Sequence, residues 1–168
     1  MKSKKMRIGQ GFDAHRLAAG RPLVLGGVEI AFDRGLEGHS DGDVLLHAVA
    51  SALLGALGQG DLGRHFPSSD AGLHGIASTE ILARVGARLL EAGFAVANID
   101  ATIVAQVPRL GAHLAEMEAV IADGLGVAAD CVNVKVTSTD GLGAIGRGEG
   151  IAAQAVALIA PADPTENA

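Results

Sequence analysis

The chain has 168 residues, enough for one domain with its own core, and 49% of them are apolar, which excludes a disordered chain. The net charge is −6, the only basic cluster is Lys2, Lys4 and Lys5, and aromatic residues make up 2%; a nucleic-acid surface, with its basic face and stacking platforms, is excluded. No apolar run approaches a membrane span and no secretory leader pattern opens the sequence, while the single cysteine, Cys131, excludes an internal disulfide or a Cys-rich zinc site and fits a reducing, cytoplasmic compartment.

In chain order, residues 6–12 and 23–32 read as strands, the second broken at Gly26-Gly27 by a bulge or a reversal. Residues 33–40 read as a polar loop. Ser40 or Asp41 then caps a helix to about residue 57, with Ser40 and Asp43 at capping-box spacing. Residues 58–75 read as a long loop; its Asp, Arg, His and Ser residues suit substrate contact. Ser78 caps a helix over 79–92, residues 96–107 alternate as a half-buried strand ended by Pro108, and 112–123 read as a helix. Val132, Val134 and Val136 mark a last strand, followed by a Gly-rich segment, a helix over about 149–160, and a polar tail at 161–168. The expected fold is therefore α+β: a single-domain sandwich over 1–160, with a mainly four-stranded sheet and helices on one face. The other face must meet solvent or another subunit, and so little aromatic bulk favours oligomerisation.

Three clusters carry chemistry. Asp13 and His15, two apart on a strand, leave the same face, and His47 follows on a helix. Two imidazoles and a carboxylate with a free fourth position form a working zinc site rather than a structural one; the alternative is a strand-end ion pair. Thr137-Ser138-Thr139-Asp140 follows a strand end, where hydroxyls and a carboxylate suit phosphate and a hard cation, or simply form a polar exit. Gly146-Arg147-Gly148-Glu149-Gly150 reads as an anion site at a helix N-terminus, or as an Arg147–Glu149 ion pair between subunits. His39, at the expected helix start, reads as a phosphate donor or a solvent-facing histidine. His65, His74 and His113 read as surface residues.

Gly11-Phe12-Asp13-Ala14-His15, His39-Ser40-Asp41-Gly42-Asp43 through His47, Gly60-Asp61-Leu62-Gly63 through Phe66-Pro67, and the Gly146–Gly150 run resemble the 2-C-methyl-D-erythritol 2,4-cyclodiphosphate synthases, in order from about Arg7 to Ile159. The resemblance implies a homotrimer of the non-mevalonate isoprenoid pathway, assembled through the bare sheet face with active sites between subunits. It would cyclise 4-diphosphocytidyl-2-C-methyl-D-erythritol 2-phosphate and expel CMP. It implies Zn2+ on Asp13, His15 and His47, a second cation (Mg2+ or Mn2+) on Asp140, and transition-state contacts from His39 and Ser138. Ser40, Asp61, Leu62, Gly63, Phe66, Pro67, Ser68, Ser69 and Asp70 would contact substrate. Ala105, Gln106, Val107, Pro108, Arg109, Leu110 and Gly111 would form the cytidine pocket, and Thr137, Thr139, Ala144 and Arg147 would also contact substrate.

The chain departs from that pattern at Ser51, where the resemblance leads one to expect Asp, at Asp140 for Glu, at Ser138 for Thr, and at Gly141 and Ala144 for Lys and Phe. Two other functions compete: a zinc hydrolase of another phosphate ester, with water at the open position, and a non-catalytic trimer binding isoprenoid diphosphates through Arg147 and Glu149.

Overall fold

The computed structural model describes residues 5–162. Lys2 and Lys4 of the basic cluster, and the tail beyond Ala162, lie outside them. Four strands lead the chain: β1 (Arg7–Ala19), the hairpin β2 (Leu23–Leu25) and β3 (Val28–Ile30), and β4 (Arg34–Leu36). Then come α1 (Val44–Leu57), the short α2 (Leu62–His65), α3 (Ser78–Glu91), β5 (Phe94–Val104), α4 (Leu114–Leu125), β6 (Val132–Thr137), the short α5 (Gly143–Gly146) and β7 (Gly150–Pro161). The mixed sheet has the order β4-β1-β7-β5-β6, with β5 and β6 parallel and the other pairs antiparallel.

Helix α1 sits at the centre of the molecule. Twelve of its fourteen residues are buried, so it is enclosed on nearly every side rather than apolar along one stripe. Asp43 caps it, accepting from the Leu45 and Leu46 N–H groups at 3.1 and 3.0 Å, and Gly58, in the left-handed region at φ 72°, ends it. On the sheet, Gly9 and Gly11 face the row Ala48, Ala52 and Ala56. A Cβ on Gly9 would lie 2.0 Å from the Ala52 carbonyl oxygen, and one on Gly11 would lie 2.0 Å from that of Ala48. Only glycine lets helix and strand backbones approach so closely. Beneath the same helix, Ile151, Ala153, Ala155, Ala157 and Ile159 of β7 are fully buried. Among the described residues the opposite sheet face carries no helix, and it exposes Ile8 (69%) and Phe12 (61%).

Several expectations need correction. The segment expected as a helix over 149–160 is β7, the middle strand of the sheet, running to Pro161. Its alanines favour a helix locally, but its inward residues recur every second position, and packing under α1 overrides propensity. The Gly146–Gly150 run therefore follows a short helix and opens a strand, and is no helix N-terminus. The sheet has five strands rather than four: β4, from a stretch expected to be loop, and β7 join it, while the segment expected as a strand over 23–32 forms a separate two-stranded sheet, β2-β3. Gly26-Gly27 is the reversal of a hairpin. Asp43, not Ser40 or Asp41, caps α1. Segment 58–75 contains α2 and a 3-10 turn at Ala71–Leu73. Helix α3 begins at Ser78 itself, whose hydroxyl makes no cap bond. β5 ends at Val104, before Pro108, and α4 starts at Leu114 after a 3-10 turn.

Candidate metal centre and cleft

Asp13 and His15 lie on the face of β1 that carries Gly9 and Gly11, so both point toward α1. His47 neighbours Ala48, which touches Gly11, and the tight seat of α1 brings its ring over the strand. Asp13 Oδ2 lies 2.9 Å from His15 Nε2 and 2.8 Å from His47 Nδ1. The two rings meet edge-on, with centroids 5.6 Å apart. One donor atom from each residue falls within a common 4.8 Å radius of the others. Two imidazole nitrogens and one carboxylate oxygen at that spacing could hold a divalent metal ion, and both histidines line the adjoining cleft.

The electrostatics of the cluster favour a cation. Burial pushes the Asp13 carboxyl up, but hydrogen bonds to His15 and His47 outweigh it and hold the group well below the usual carboxylate range. The Asp13 carboxylate in turn raises His15 above its ordinary value, against partial burial. The buried Asp43 lies close by in the chain but plays a different part. Besides capping α1, it accepts from the Gly26 and Gly27 N–H groups at 3.0 and 2.7 Å, tying the β2–β3 turn to the helix start. Burial pushes its carboxyl up to about 6, against the pull of the Leu46, Gly27 and Gly26 N–H donors.

His47 Nε2 has two hydroxyl neighbours, Ser40 Oγ at 3.1 Å and Ser78 Oγ at 3.0 Å. From sequence Ser78 reads only as a helix cap, and nothing in its local sequence marks a contact with a residue thirty-one positions earlier. The loop that brings it there is stitched to the 39–41 segment, Gly75 N–H donating to the His39 carbonyl at 2.7 Å.

A cleft of about 180 Å³ opens on the cluster, lined by His15, His39, Ser40 and His47 on one side and by Leu62, Phe66, Pro67, Ser68 and Asp70 on the other. His74, taken from sequence as a surface residue, lines it too, with Leu73, Ile76 and Ile81. Asp61 accepts from the Arg64 N–H at 2.9 Å and caps α2; Asp61, Gly63 and Ser69 are exposed outside the lining. His65 Nε2 contacts the Gln59 carbonyl at 2.9 Å.

The other sequence-marked residues gather elsewhere in the chain. The 105–111 turn follows β5 and the 137–140 turn follows β6, joined by Ala105 N–H to the Thr137 carbonyl (2.9 Å) and Gly141 N–H to Gln106 Oε1 (3.1 Å). Val107, Pro108, Arg109 and Gly111 are at least partly open, whereas Ala105 and Leu110 are buried. Ser138 Oγ lies 3.2 Å from Asp140 Oδ1, and Thr139 Oγ1 donates to the Leu142 carbonyl at 2.7 Å. Asp140 holds a left-handed φ of 51°. Ala144 is exposed on α5, and Arg147 Nε pairs with Glu149 Oε1 at 2.6 Å within the chain. This group and the metal cluster occupy the same end of the sheet, but β6 lies three strands from β1, roughly 14 Å at ordinary strand spacing.

The sequence model of the YgbB family matches residues 6–160. Curated relatives named 2-C-methyl-D-erythritol 2,4-cyclodiphosphate synthase include one from Desulfosudis oleivorans, 60% identical over 154 residues (92% of each chain). Another, from Thiobacillus denitrificans, is 58% identical over 156 residues, covering 93% of this chain and 98% of the relative. Among solved structures, the bifunctional IspDF of Campylobacter jejuni superposes with a TM-score of 0.91 at 40% identity, covering 95% of this chain and 43% of that one. The CDP complex of Plasmodium falciparum IspF gives 0.83 at 30% identity, covering 95% and 98%. Near-full-length identity of this order, on the same fold and with the Asp-His-His cluster in place, shows that the chain belongs to the 2-C-methyl-D-erythritol 2,4-cyclodiphosphate synthase family.

Proposed function

We propose that this chain catalyses the cyclisation of 4-diphosphocytidyl-2-C-methyl-D-erythritol 2-phosphate to 2-C-methyl-D-erythritol 2,4-cyclodiphosphate, with release of CMP, in isoprenoid biosynthesis. Membership of the synthase family supports this, and the observation that carries it in the structure is the Asp13–His15–His47 cluster at the head of a cleft. The attacking 2-phosphate is already a nucleophile, so the protein's task is alignment and charge neutralisation rather than strong base catalysis. In the balanced step, a 2-phosphate oxygen bonds to the β-phosphorus and the bond from that phosphorus to the bridging oxygen breaks, leaving with CMP. Zn2+ on Asp13, His15 and His47, with Mg2+ or Mn2+ on Asp140 and the substrate's own phosphates, would supply Lewis-acid charge withdrawal.

The protein's own groups would do the rest. His39 and Ser138 donate toward the charge that develops on the transferred group. Leu62, Phe66, Pro67, Ser68 and Asp70, with Ser40, enclose the erythritol phosphate, while Asp61, Gly63 and Ser69 shape that loop. The 105–111 turn takes the cytidine, flanked by Thr137, Thr139, Ala144 and Arg147. Since the two groups of residues lie on well-separated strands, a complete site is assembled by juxtaposing the cleft of one subunit with the 105–111 and 137–140 turns of a neighbour. Trimerisation through the helix-free sheet face, which exposes Ile8 and Phe12, would provide that neighbour. Residues 1–160 serve as one catalytic domain, 161–168 as a tail, and the cytoplasm as the working compartment.

Phosphorus NMR of the reaction tests this reading. A cyclic diphosphate appearing with stoichiometric CMP is the expected outcome. Inorganic phosphate in place of the ring would instead indicate a zinc hydrolase, and no turnover would leave only a binding protein.

A further inference from the structure

The geometry points to Asp41 and Ser78 as positioning residues that, through a directional chain of hydrogen bonds, hold His47 in the one tautomer able to bind metal. The inference rests on the metal reading above and adds to it a relay outside the ligand set. Ser78 is fully buried. Its hydroxyl donates to Asp41 Oδ1, its backbone N–H donates to Asp41 Oδ2 at 2.9 Å, and the Asp43 N–H donates to Asp41 Oδ1 at 3.2 Å. The Asp41 carboxylate is thus fixed, with both of its oxygens accepting.

The direction of each bond then follows. A hydroxyl has one proton, and that of Ser78 is committed to Asp41, so at 3.0 Å from His47 Nε2 its oxygen can only accept. Ser40 Oγ, at 3.1 Å from the same nitrogen, accepts from the Gly42 N–H at 3.1 Å and keeps a second lone pair that an Nε2–H can also use. Because the Ser78 oxygen can only accept, Nε2 carries hydrogen; when a metal takes the place of the hydrogen bond between Nδ1 and Asp13, the lone pair it needs is on Nδ1. Nδ1 is the nitrogen 2.8 Å from Asp13 Oδ2, inside the ligand cluster. Metal-binding histidines generally owe orientation and basicity to a partner on the other nitrogen. Ser51, one turn beyond His47, carries no carboxylate; here Asp41 provides one through Ser78. Asp41 lies on the segment before α1 and Ser78 at the start of α3, so the relay also ties ligand geometry to the seating of α3.

The test is zinc affinity by competition with a chromophoric chelator in wild type, Ser78→Ala and Asp41→Asn. Both variants should bind zinc about 10- to 100-fold more weakly. Asp41→Asn removes no volume, so it keeps the test decisive if Ser78→Ala folds poorly. Imidazole N–H exchange by NMR separates positioning from general damage. In zinc-loaded wild type the His47 Nε2 proton should exchange slowly, and in both variants the protection should be lost. Unchanged zinc affinity in a folded variant would overturn the relay, as would weakened affinity with the slow exchange intact. Wild type that fails to bind zinc would instead overturn the metal reading on which the relay stands.

Discussion

Asp13 Oδ2 lies 2.8 Å from Nδ1 of His47, a residue thirty-four positions further along the chain. Backbone packing explains how a strand and a helix deliver two side chains to that distance. Gly11, two residues before Asp13, meets the carbonyl of Ala48, immediately after His47. The glycine row of β1 and the alanine row of α1 act as a spacer that sets the reach of the ligands.

Gly11→Ala should therefore damage the site without touching a ligand. Its Cβ would fall 2.0 Å from the Ala48 oxygen, and since the obstacle is helix backbone, α1 must move. Overpacking of this kind costs about 1–3 kcal/mol or more, and a ligand displaced with the helix weakens metal binding. Chemical denaturation with a parallel zinc titration checks both; a variant with normal stability and affinity would show that the close contact is not needed.

The metal-free protein should show a pH window. Asp13 has a lowered carboxyl, so its contribution is present above the ordinary 3.8 and is lost as pH falls toward the folded value. His15 is raised, so its contribution is fully present below 6.5 and is lost as pH rises through its folded value. The pair therefore stabilises the metal-free fold most between about pH 4 and 6.5. The stability difference between wild type and His15→Gln, followed by urea denaturation across pH, should peak there. Zinc binding runs the other way, weakening on acidification because ligands must shed protons.

Much of the site was legible because it rests on local rules. The i, i+2 spacing of Asp13 and His15 places both on one strand face whatever the rest of the chain does, and the apolar spacing after Asp43 marks a helix, though its burial on nearly every side is a tertiary fact. The last strand was not legible. Ile151 to Ile159 is rich in alanine, which favours a helix, and its period-two burial reflects how close α1 sits, a tertiary fact. Ser78 was missed for a related reason: its partners, Asp41 and His47, are brought to it by the long 58–77 connection.

The helix-free sheet face makes a separate prediction. Phe12→Asp places a charge on a 61% exposed aromatic of that face, where it leaves the monomer's core untouched. In light scattering the trimer proposed for the wild type should give way to monomers, with turnover lost while zinc affinity persists. Trimers that survive the change would place the interface elsewhere.

A shared site also predicts complementation. Asp13→Ala and Asp140→Ala chains should each be inactive, yet mixed trimers should regain activity, about one quarter of the sites receiving both intact halves if subunits assort at random. Restored CMP release after co-refolding confirms the arrangement; a mixture as inactive as its parents means that both halves serve the same subunit's site.

The most direct measurement is anomalous diffraction at the zinc edge on crystals of the zinc-loaded protein. The account predicts one peak per chain, about 2.0–2.2 Å from Asp13 Oδ2, a His15 ring nitrogen and His47 Nδ1. A catalytically active crystal form with that position empty, or with zinc bound through other residues, would contradict it.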